Sequence, residues 1–148
     1  MIRLAVLNDQ SAMAAIAGRA YERYVQLIGK RPAPMDANFG LHINRAEAYV
    51  DETDGNICGF IVQFGTPEGW FIENVAVEPT LQGRGLGQEM LSDAEQRCQQ
   101  AGKDRVYLYT NEAMTETCAW YLKNGYSETH RIMESGFNRI YLEKRIAP

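Results

Sequence analysis

Three glycines at alternate positions, Gly83, Gly85 and Gly87, lie between an apolar run that ends at Val77 and the start of a helical pattern. A strand, a glycine-rich turn and a helix in this order can bind a phosphate, because the first N–H groups of a helix have no intrahelical partners and carry partial positive charge. Glycine lets the backbone approach an anion closely. Arg84 adds a fixed charge and a planar set of donors. The turn is therefore predicted to bind a phosphate-containing ligand.

The spacing of the glycines restricts the type of phosphate site. A nucleotide-binding P-loop needs Gly-Lys-Ser/Thr and a dinucleotide fingerprint needs G-x-G-x-x-G, and neither pattern is present. The segment instead resembles the acetyl-CoA pyrophosphate loop of the GNAT N-acetyltransferase superfamily, Q/R-x-x-G-x-G/A, with Gln82, Gly85 and Gly87 at the defined positions. The alternative is a tight strand-to-helix turn that binds nothing. The resemblance implies that acetyl-CoA contacts Gln82, Gly83, Arg84, Gly85, Leu86 and Gly87.

Tyr121 is the candidate general acid. The segment from Ala119 to Tyr126 resembles the Y-x-x-x-G-F/Y part of a segment of the same family, where the tyrosine hydroxyl lies near the cofactor sulfur. Transfer of an acetyl group from a thioester to an amine benefits from a proton donor for the departing thiolate, and a phenol can supply it. The alternative is an aromatic side chain on a helix that packs in the core or only positions the cofactor.

Glu73 is the candidate general base. It lies in the strand before the glycine turn among apolar residues, where a carboxylate can have a raised pKa or bind a substrate ammonium group. In the family an acidic residue near this position often accepts the amine proton through water. The alternative is a solvated or ion-paired glutamate. Strand alternation puts Glu73 on the face of Val75 and Val77, unless a bulge intervenes.

Other site residues follow from the resemblance or from position alone. The backbone N–H groups of Val75 and Val77 correspond to the family's donors to the acetyl carbonyl and pantetheine. Asn111 corresponds to an asparagine that bonds the cofactor arm or a water, although it also suits a turn. His42 is a weaker candidate on the acceptor side. Cys118 has no neighbouring activating residue in sequence and is interpreted as a small apolar side chain.

The composition predicts a single globular domain, residues 1–148, without metal or disulfides. The chain has a net charge of −4, which does not favour nucleic-acid binding. Its three cysteines are widely spaced, and neither a metal-binding pattern nor a disulfide framework is indicated. The sequence shows no apolar run of membrane-spanning length and no signal-peptide pattern. We therefore expect a cytoplasmic protein that does not associate with membranes.

The elements that position these residues alternate between strands and helices. The order is β-α, an ambiguous segment 36–45, three strands that end at Val77, a helix after the glycine turn, a strand at 106–110, a helix at 114–124, and two closing strands. The strand–helix–strand unit around the glycine turn predicts a parallel strand pair. The pattern is mixed α/β. The resemblance implies a twisted seven-stranded mixed sheet, helices on both faces, and two central parallel strands that splay apart to admit the cofactor.

Two functions from different classes remain open. The first is an N-acetyltransferase that moves an acetyl group from acetyl-CoA to a primary amine of a small molecule or a protein. The second is a non-catalytic acyl-CoA-binding or sensor module on the same fold. Walls of the acceptor site are expected from residues 25–45 and 133–138. Because the family often dimerises and Tyr126, Phe137 and Tyr141 look exposed on the closing strands, we also expect a homodimer.

Overall fold

A seven-stranded sheet with helices on both faces forms the body of the protein. The computed structural model describes residues 1–147, and within them the strands and α-helices have the following bounds: β1 Ile2–Leu4, α1 Gln10–Ile28, α2 Phe39–Asn44, β2 Ala48–Thr53, β3 Asn56–Thr66, β4 Gly69–Val77, α3 Leu86–Gln100, β5 Arg105–Asn111, α4 Thr115–Lys123, β6 Ser127–Glu134 and β7 Phe137–Arg145. The predicted mixed α/β class and the predicted element order are confirmed.

The strand order in the sheet is β1-β2-β3-β4-β5-β7-β6. Neighbouring strands are antiparallel except β4 and β5, which are parallel and are connected through α3. The glycine turn therefore lies at the carboxyl end of β4, in the middle of the sheet, where it leads into α3. This is the parallel pair that the sequence predicted.

Two apolar cores hold the helices against opposite faces of the sheet. On one face α1 packs through Met13, Ile16 and Ala17 against β-strand side chains that include Phe60 and Val62. On the other face α3 packs through Met90, Leu91, Ala94 and Cys98 against residues that include Ile61, Val106 and Leu108. Since successive side chains of β3 enter different cores, that strand is buried on both faces.

The structure resolves the ambiguous segment and corrects one assignment. Within residues 36–45 the chain forms α2, and the Asn38 side-chain oxygen caps its first turn by accepting from the Leu41 N–H at 3.0 Å. Tyr126, expected on the exposed surface of the closing strands, is only 2% exposed and packs in the core of α3 and α4. The ring is buried because Tyr126 directly follows Gly125, which turns the chain back under α4 with a φ of 93°. Tyr126 therefore gives no support to a dimer surface.

Candidate active site

The two central strands separate in the middle of the sheet. Their paired positions are Trp70 with Val106 and Phe71 with Tyr107, and the described residues form no further pair between β4 and β5. β5 continues to pair on its other side with β7 as far as Asn111. The gap therefore opens between β4 and β5 alone, towards the carboxyl ends of both strands.

A β-bulge at Glu73 accompanies the separation. Val62 of β3 lies opposite Asn74, whereas the next residue, Gln63, lies opposite Ile72, so Glu73 is the extra residue without a partner on β3. Such a bulge bends the strand and redirects side chains. The expectation from simple alternation is therefore wrong. Val75 and Val77 pack towards α3, whereas Glu73 meets His42 of α2, on the opposite face.

The bulge and the separation leave backbone donors available in β4. The Glu78 N–H donates to the Cys58 carbonyl of β3 at 2.8 Å. Because hydrogen-bonded pairs alternate along an antiparallel ladder, the N–H groups of Val75 and Val77 point away from β3, towards the gap. These are the two donors that the family resemblance implied for the acetyl carbonyl and the pantetheine.

A cavity of about 580 Å³ occupies the gap. Along β4 the lining runs from Glu73 at one end through Val75 and Val77 to the glycine turn at the other end. Tyr121 also lines the cavity and neighbours Tyr21, which contacts Val75. Of the residues assigned to the site from the sequence, ten line this cavity: Glu73, Val75, Val77, Gln82, Gly83, Gly85, Leu86, Gly87, Asn111 and Tyr121. Arg84 is exposed in the same turn and makes no ion pair with the described residues, but it does not line the cavity.

The glycine turn presents N–H groups to the cavity. Gly83 and Gly85 have φ angles of 83° and 86°, a region that L-residues rarely adopt, and Gly85 directly precedes α3. No side chain caps the first turn of α3, and its first intrahelical bond runs from the Glu89 N–H to the Gly85 carbonyl. The N–H groups at the start of the helix are therefore available to an anion. Gln82 supports the turn by donating to the Val77 carbonyl at 3.3 Å.

The third glycine allows a close packing contact. A Cβ atom at Gly87 would lie 2.9 Å from Cζ2 of Trp120, whose ring also lines the cavity. Gly87 therefore lets α3 and α4 approach each other beside the glycine turn. This contact explains a glycine inside a helix, where the residue is otherwise unfavourable.

Tyr121 lies between the two ends of the cavity. Its ring packs against Trp120 and Tyr126 at centroid distances of 5.0 and 5.7 Å, and the residue is only 4% exposed. The hydroxyl makes no hydrogen bond with residues 1–147. Burial raises the pKa of Tyr121 well above its usual range, and the neighbouring Tyr21 raises it further. Its phenol is therefore protonated at neutral pH and is free to donate to a ligand.

Tyr21 is a site residue that the sequence analysis missed. From α1 its hydroxyl lies 3.0 Å from the Val75 carbonyl and 3.1 Å from Oδ1 of Asn74, so it supports β4 just beyond the bulge. Asn74 in turn donates to the Pro34 carbonyl at 3.3 Å. The available signal was a tyrosine on the buried face of α1, which the apolar periodicity alone does not distinguish from core packing.

Glu73 lies in a row with two polar side chains of the α2 region, His42 and Glu47. His42 Nε2 lies 3.0 Å from Glu73 Oε2, and His42 Nδ1 lies 2.8 Å from Glu47 Oε1. The His42 side chain is 12% exposed and that of Glu73 is 37% exposed, so the carboxylate reaches solvent while the imidazole is largely covered. His42 therefore contacts the candidate base, and its place on the acceptor side stays a prediction.

Aromatic side chains complete the acceptor end. The Tyr109 ring stacks on Phe71 at a centroid distance of 5.9 Å, and the Arg139 guanidinium lies 4.1 Å from the Tyr109 centroid. Pro32, Ala33 and Pro34 line the wall expected from residues 25–45, and Phe137 lines the wall expected from residues 133–138. Tyr109 and Arg139 were not identified from the sequence.

Asn111 and Cys118 have local structural roles. The Asn111 side-chain oxygen accepts from the Ala113 N–H at 2.8 Å, as expected of a turn asparagine, although the residue also lines the cavity. Cys118 is partly buried, and burial raises the pKa of its thiol, which disfavours the nucleophilic thiolate. Across residues 1–147 no group of three or more metal-ligating side chains is assembled. Among the described helices, none combines the length and apolarity that crossing a membrane requires.

Comparison with known proteins places this geometry in a family. Residues 13–126 match the model of the acetyltransferase (GNAT) family. The aminoalkylphosphonate N-acetyltransferase of Salmonella typhimurium is 32% identical over 59 residues, which are 40% of this chain and 38% of that protein. An uncharacterized N-acetyltransferase of Bacillus subtilis is 27% identical over 86 residues, 57% of this chain and 56% of that protein. The matches thus span about two fifths to just over half of these relatives.

The fold comparison extends over nearly the whole chain. The structure of the PaiA N-acetyltransferase of Thermoplasma acidophilum in complex with coenzyme A superposes with a TM-score of 0.82 at 16% identity, covering 98% of both chains. Together with the separated parallel strands and the glycine turn, the family match over residues 13–126 leads to one conclusion. The chain belongs to the acetyltransferase (GNAT) family.

Proposed function

We propose that this protein is an acetyl-CoA-dependent N-acetyltransferase. It transfers the acetyl group to a primary amine of a small molecule or a protein by direct attack in a ternary complex. The observation that carries the proposal is one cavity lined by residues of the glycine turn, by Tyr121 and by Glu73. Groups suited to hold the donor, to assist the leaving group and to bind the amine thus face a single space.

The residues of the cavity suit acetyl-CoA. The free N–H groups at the start of α3 and the positive φ angles of Gly83 and Gly85 favour a pyrophosphate at the glycine turn. The Val75 and Val77 N–H groups face the gap, where they are placed to hold the acyl and pantetheine part of the molecule. Bound acetyl-CoA supplies an activated acyl group. The N–H of Val75 would stabilise the negative charge that develops on the carbonyl oxygen of the acetyl group.

Tyr121 acts as a hydrogen-bond donor to the leaving sulfur. Burial raises its pKa, whereas a thiol has a pKa of about 8.5 in water, so complete transfer of the phenolic proton to a thiolate is unfavourable. Because the pKa of Tyr121 lies above that of the thiol, Tyr121 donates a hydrogen bond to the negative charge that develops on the sulfur, and the proton remains mostly on Tyr121. The same raised pKa keeps the donor proton in place at neutral and moderately alkaline pH.

Glu73 receives the acceptor amine. As the bulge residue it projects towards the α2 side of the cavity, and its carboxylate is exposed enough to meet a ligand or a water molecule. An ammonium group must lose a proton before it attacks, and a carboxylate at this place can bind the ammonium and accept its proton through water. His42, fixed by Glu47, holds the carboxylate on this side.

The alternative is a non-catalytic acyl-CoA-binding module, and one experiment separates it from an enzyme. Calorimetry measures the binding of CoA, and a thiol reagent measures the release of free CoA from acetyl-CoA in the presence of a panel of amines. Binding together with amine-dependent release supports the enzyme. Binding without release for any amine supports the alternative, whereas an absence of both heat and thermal stabilisation contradicts the assignment of acetyl-CoA itself.

A further inference from the structure

Arg139 places a largely buried cation at the acceptor end of the cavity. It lies in β7, opposite Asn111 of β5, and its side chain is only 15% exposed. The guanidinium lies 4.1 Å from the ring centroid of Tyr109 and 5.8 Å from that of Phe137, so two aromatic rings fix its orientation. The residue lines the cavity together with both rings.

The donors of this guanidinium are largely unused. Its nearest carboxylate is Glu134, with Oε1 3.2 Å from Nη1, and this oxygen also accepts the Tyr141 hydroxyl. Among residues 1–147 this Nη1 contact with Glu134 is the one polar contact of the guanidinium. A guanidinium carries five N–H donors, and leaving them without partners in a partly desolvated site is unfavourable. The geometry therefore leaves donors available for a ligand group.

Charges of both signs meet around Tyr109. Burial raises the pKa of Tyr109, the Arg139 cation lowers it, and the carboxylates of Glu73 and Glu134 raise it. Glu73 of β4 and Arg139 of β7 both line the cavity together with Tyr109. This end of the cavity is therefore bordered by an anion on one side and a cation on the other.

We propose that the acceptor is a small amine that also carries an anionic group, such as a carboxylate or a phosphonate. The amine faces Glu73, and the anionic group is held by Arg139, whose planar donors match both kinds of anion. This inference rests on the proposed acetyl transfer and adds to it the class of acceptor. A purely cationic acceptor would instead place positive charge near Arg139, which disfavours binding.

The test compares acceptors that differ in the anionic group. Aminoethylphosphonate and β-alanine are paired with ethanolamine and β-alaninamide, which lack the anionic group, and spermidine represents a polycation. Rates of CoA release give kcat/KM for each amine. We expect the two amines with an anionic group to exceed the two without one by about 10- to 100-fold, the range expected for a charge-assisted pair of hydrogen bonds. The ratio of kcat/KM for aminoethylphosphonate to kcat/KM for β-alanine distinguishes a phosphonate site from a carboxylate site.

Variants at Arg139 identify the group responsible. Arg139→Gln should remove most of the preference by raising KM for the amines with an anionic group about 10- to 100-fold, with less than about a threefold change for the amines without one. Arg139→Lys should retain part of the preference because it keeps the charge but loses the planar fork. The control is Arg131→Gln, which removes a cation from β6, where the side chain is 56% exposed and outside the cavity.

Three outcomes overturn the inference. They are equal rates for amines with and without an anionic group, a preference for spermidine, and an equal loss for both amine classes in Arg139→Gln. In each case amine-dependent release of CoA still supports the proposed acetyl transfer. If no amine releases CoA, calorimetry with aminoethylphosphonate and β-alanine on the CoA complex still decides the question, since loss of their binding in Arg139→Gln supports the anion site and its retention contradicts it. If Arg139→Gln does not fold, the test uses the wild type and Arg139→Lys instead, and compares their preferences for amines with an anionic group.

Discussion

The two ends of the cavity present different kinds of groups to a ligand. At the glycine turn the facing groups are backbone N–H groups from one contiguous segment, residues 82–88. At the acceptor end they are side chains from three strands: Glu73 of β4, Tyr109 of β5 and Arg139 of β7. Backbone groups do not change when a side chain changes, provided that the turn keeps its conformation. The acceptor end, by contrast, can be altered by a single substitution.

This difference suggests a division of roles between the ends. The glycine turn suits the pyrophosphate that every acyl-CoA carries, so a backbone site with fixed geometry is sufficient there. The acceptor end must distinguish one amine from another, which requires charges and shapes that only side chains supply. Binding at the glycine turn should therefore be weakened by substitutions that add atoms. Binding at the acceptor end should be weakened by substitutions that remove a side-chain group.

Tyr121→Phe, between the two ends, should have the largest effect. The substitution keeps the ring and its packing against Trp120 and Tyr126 but removes the hydroxyl. We expect kcat to fall by about 10²- to 10³-fold, the usual range for loss of one hydrogen-bond donor to charge that develops in the transition state. KM for the amine and the affinity for CoA should change little, because the lost interaction belongs to the transition state. Single-turnover rates measure the chemical step, and calorimetry measures the affinity for CoA.

The same variant has two informative contrary results. A decrease of less than about threefold would show that water assists the sulfur adequately and would end the role assigned to Tyr121. A large decrease with weakened CoA binding would make it a positioning residue. In the wild type, because the pKa of Tyr121 is raised, its donor form persists above about pH 10, the usual value for tyrosine. The rate should therefore show no alkaline decline below pH 10 from this group.

Gly87→Ala should weaken the cofactor end to a smaller extent. The new Cβ atom would lie 2.9 Å from the Trp120 ring, so the ring must move in a cavity wall that it helps to form. Overpacking of this kind costs about 1–3 kcal/mol, and we expect the Kd for CoA to rise about 10-fold. Calorimetry gives the affinity, and thermal unfolding gives the stability.

Gly18→Ala is the matched control for that substitution. Gly18 also lies inside a helix, but a Cβ atom there would have no atom within 4 Å outside its own helix. This variant should gain about 0.5–1 kcal/mol from helix propensity and keep the wild-type affinity for CoA. Equal CoA affinities in the two variants would show that contact between Gly87 and Trp120 does not shape the site.

The sequence predicted the fold and the glycine turn because both depend on local patterns. A strand, a glycine-rich turn and an amphipathic helix are contiguous, and the parallel pair follows from the strand–helix–strand order. These features need no information about which distant residues meet.

The acceptor end was less predictable because its geometry depends on distant contacts. Alternation placed Glu73 on the wrong face, since the bulge depends on how β4 pairs with β3 and cannot be read from β4 alone. Arg139 follows a turn late in the chain, and only the pairing of β7 with β5 brings it beside Tyr109. Tyr21 resembles a core residue until its hydroxyl is seen to support β4.

His42→Gln tests whether the acceptor end depends on side chains that do not themselves face the cavity. His42 links Glu73, at 3.0 Å, to Glu47, at 2.8 Å, and does not line the cavity. Partly exposed polar contacts of this kind contribute about 0.5–1.5 kcal/mol, so kcat/KM for the amine should fall about 3- to 10-fold while CoA affinity is unchanged. His130→Gln is the control, because His130 is the other histidine and lies exposed on β6. If both variants match the wild type, Glu73 holds its position without His42; if His42→Gln instead weakens CoA binding, the two ends are coupled and their division of roles is wrong.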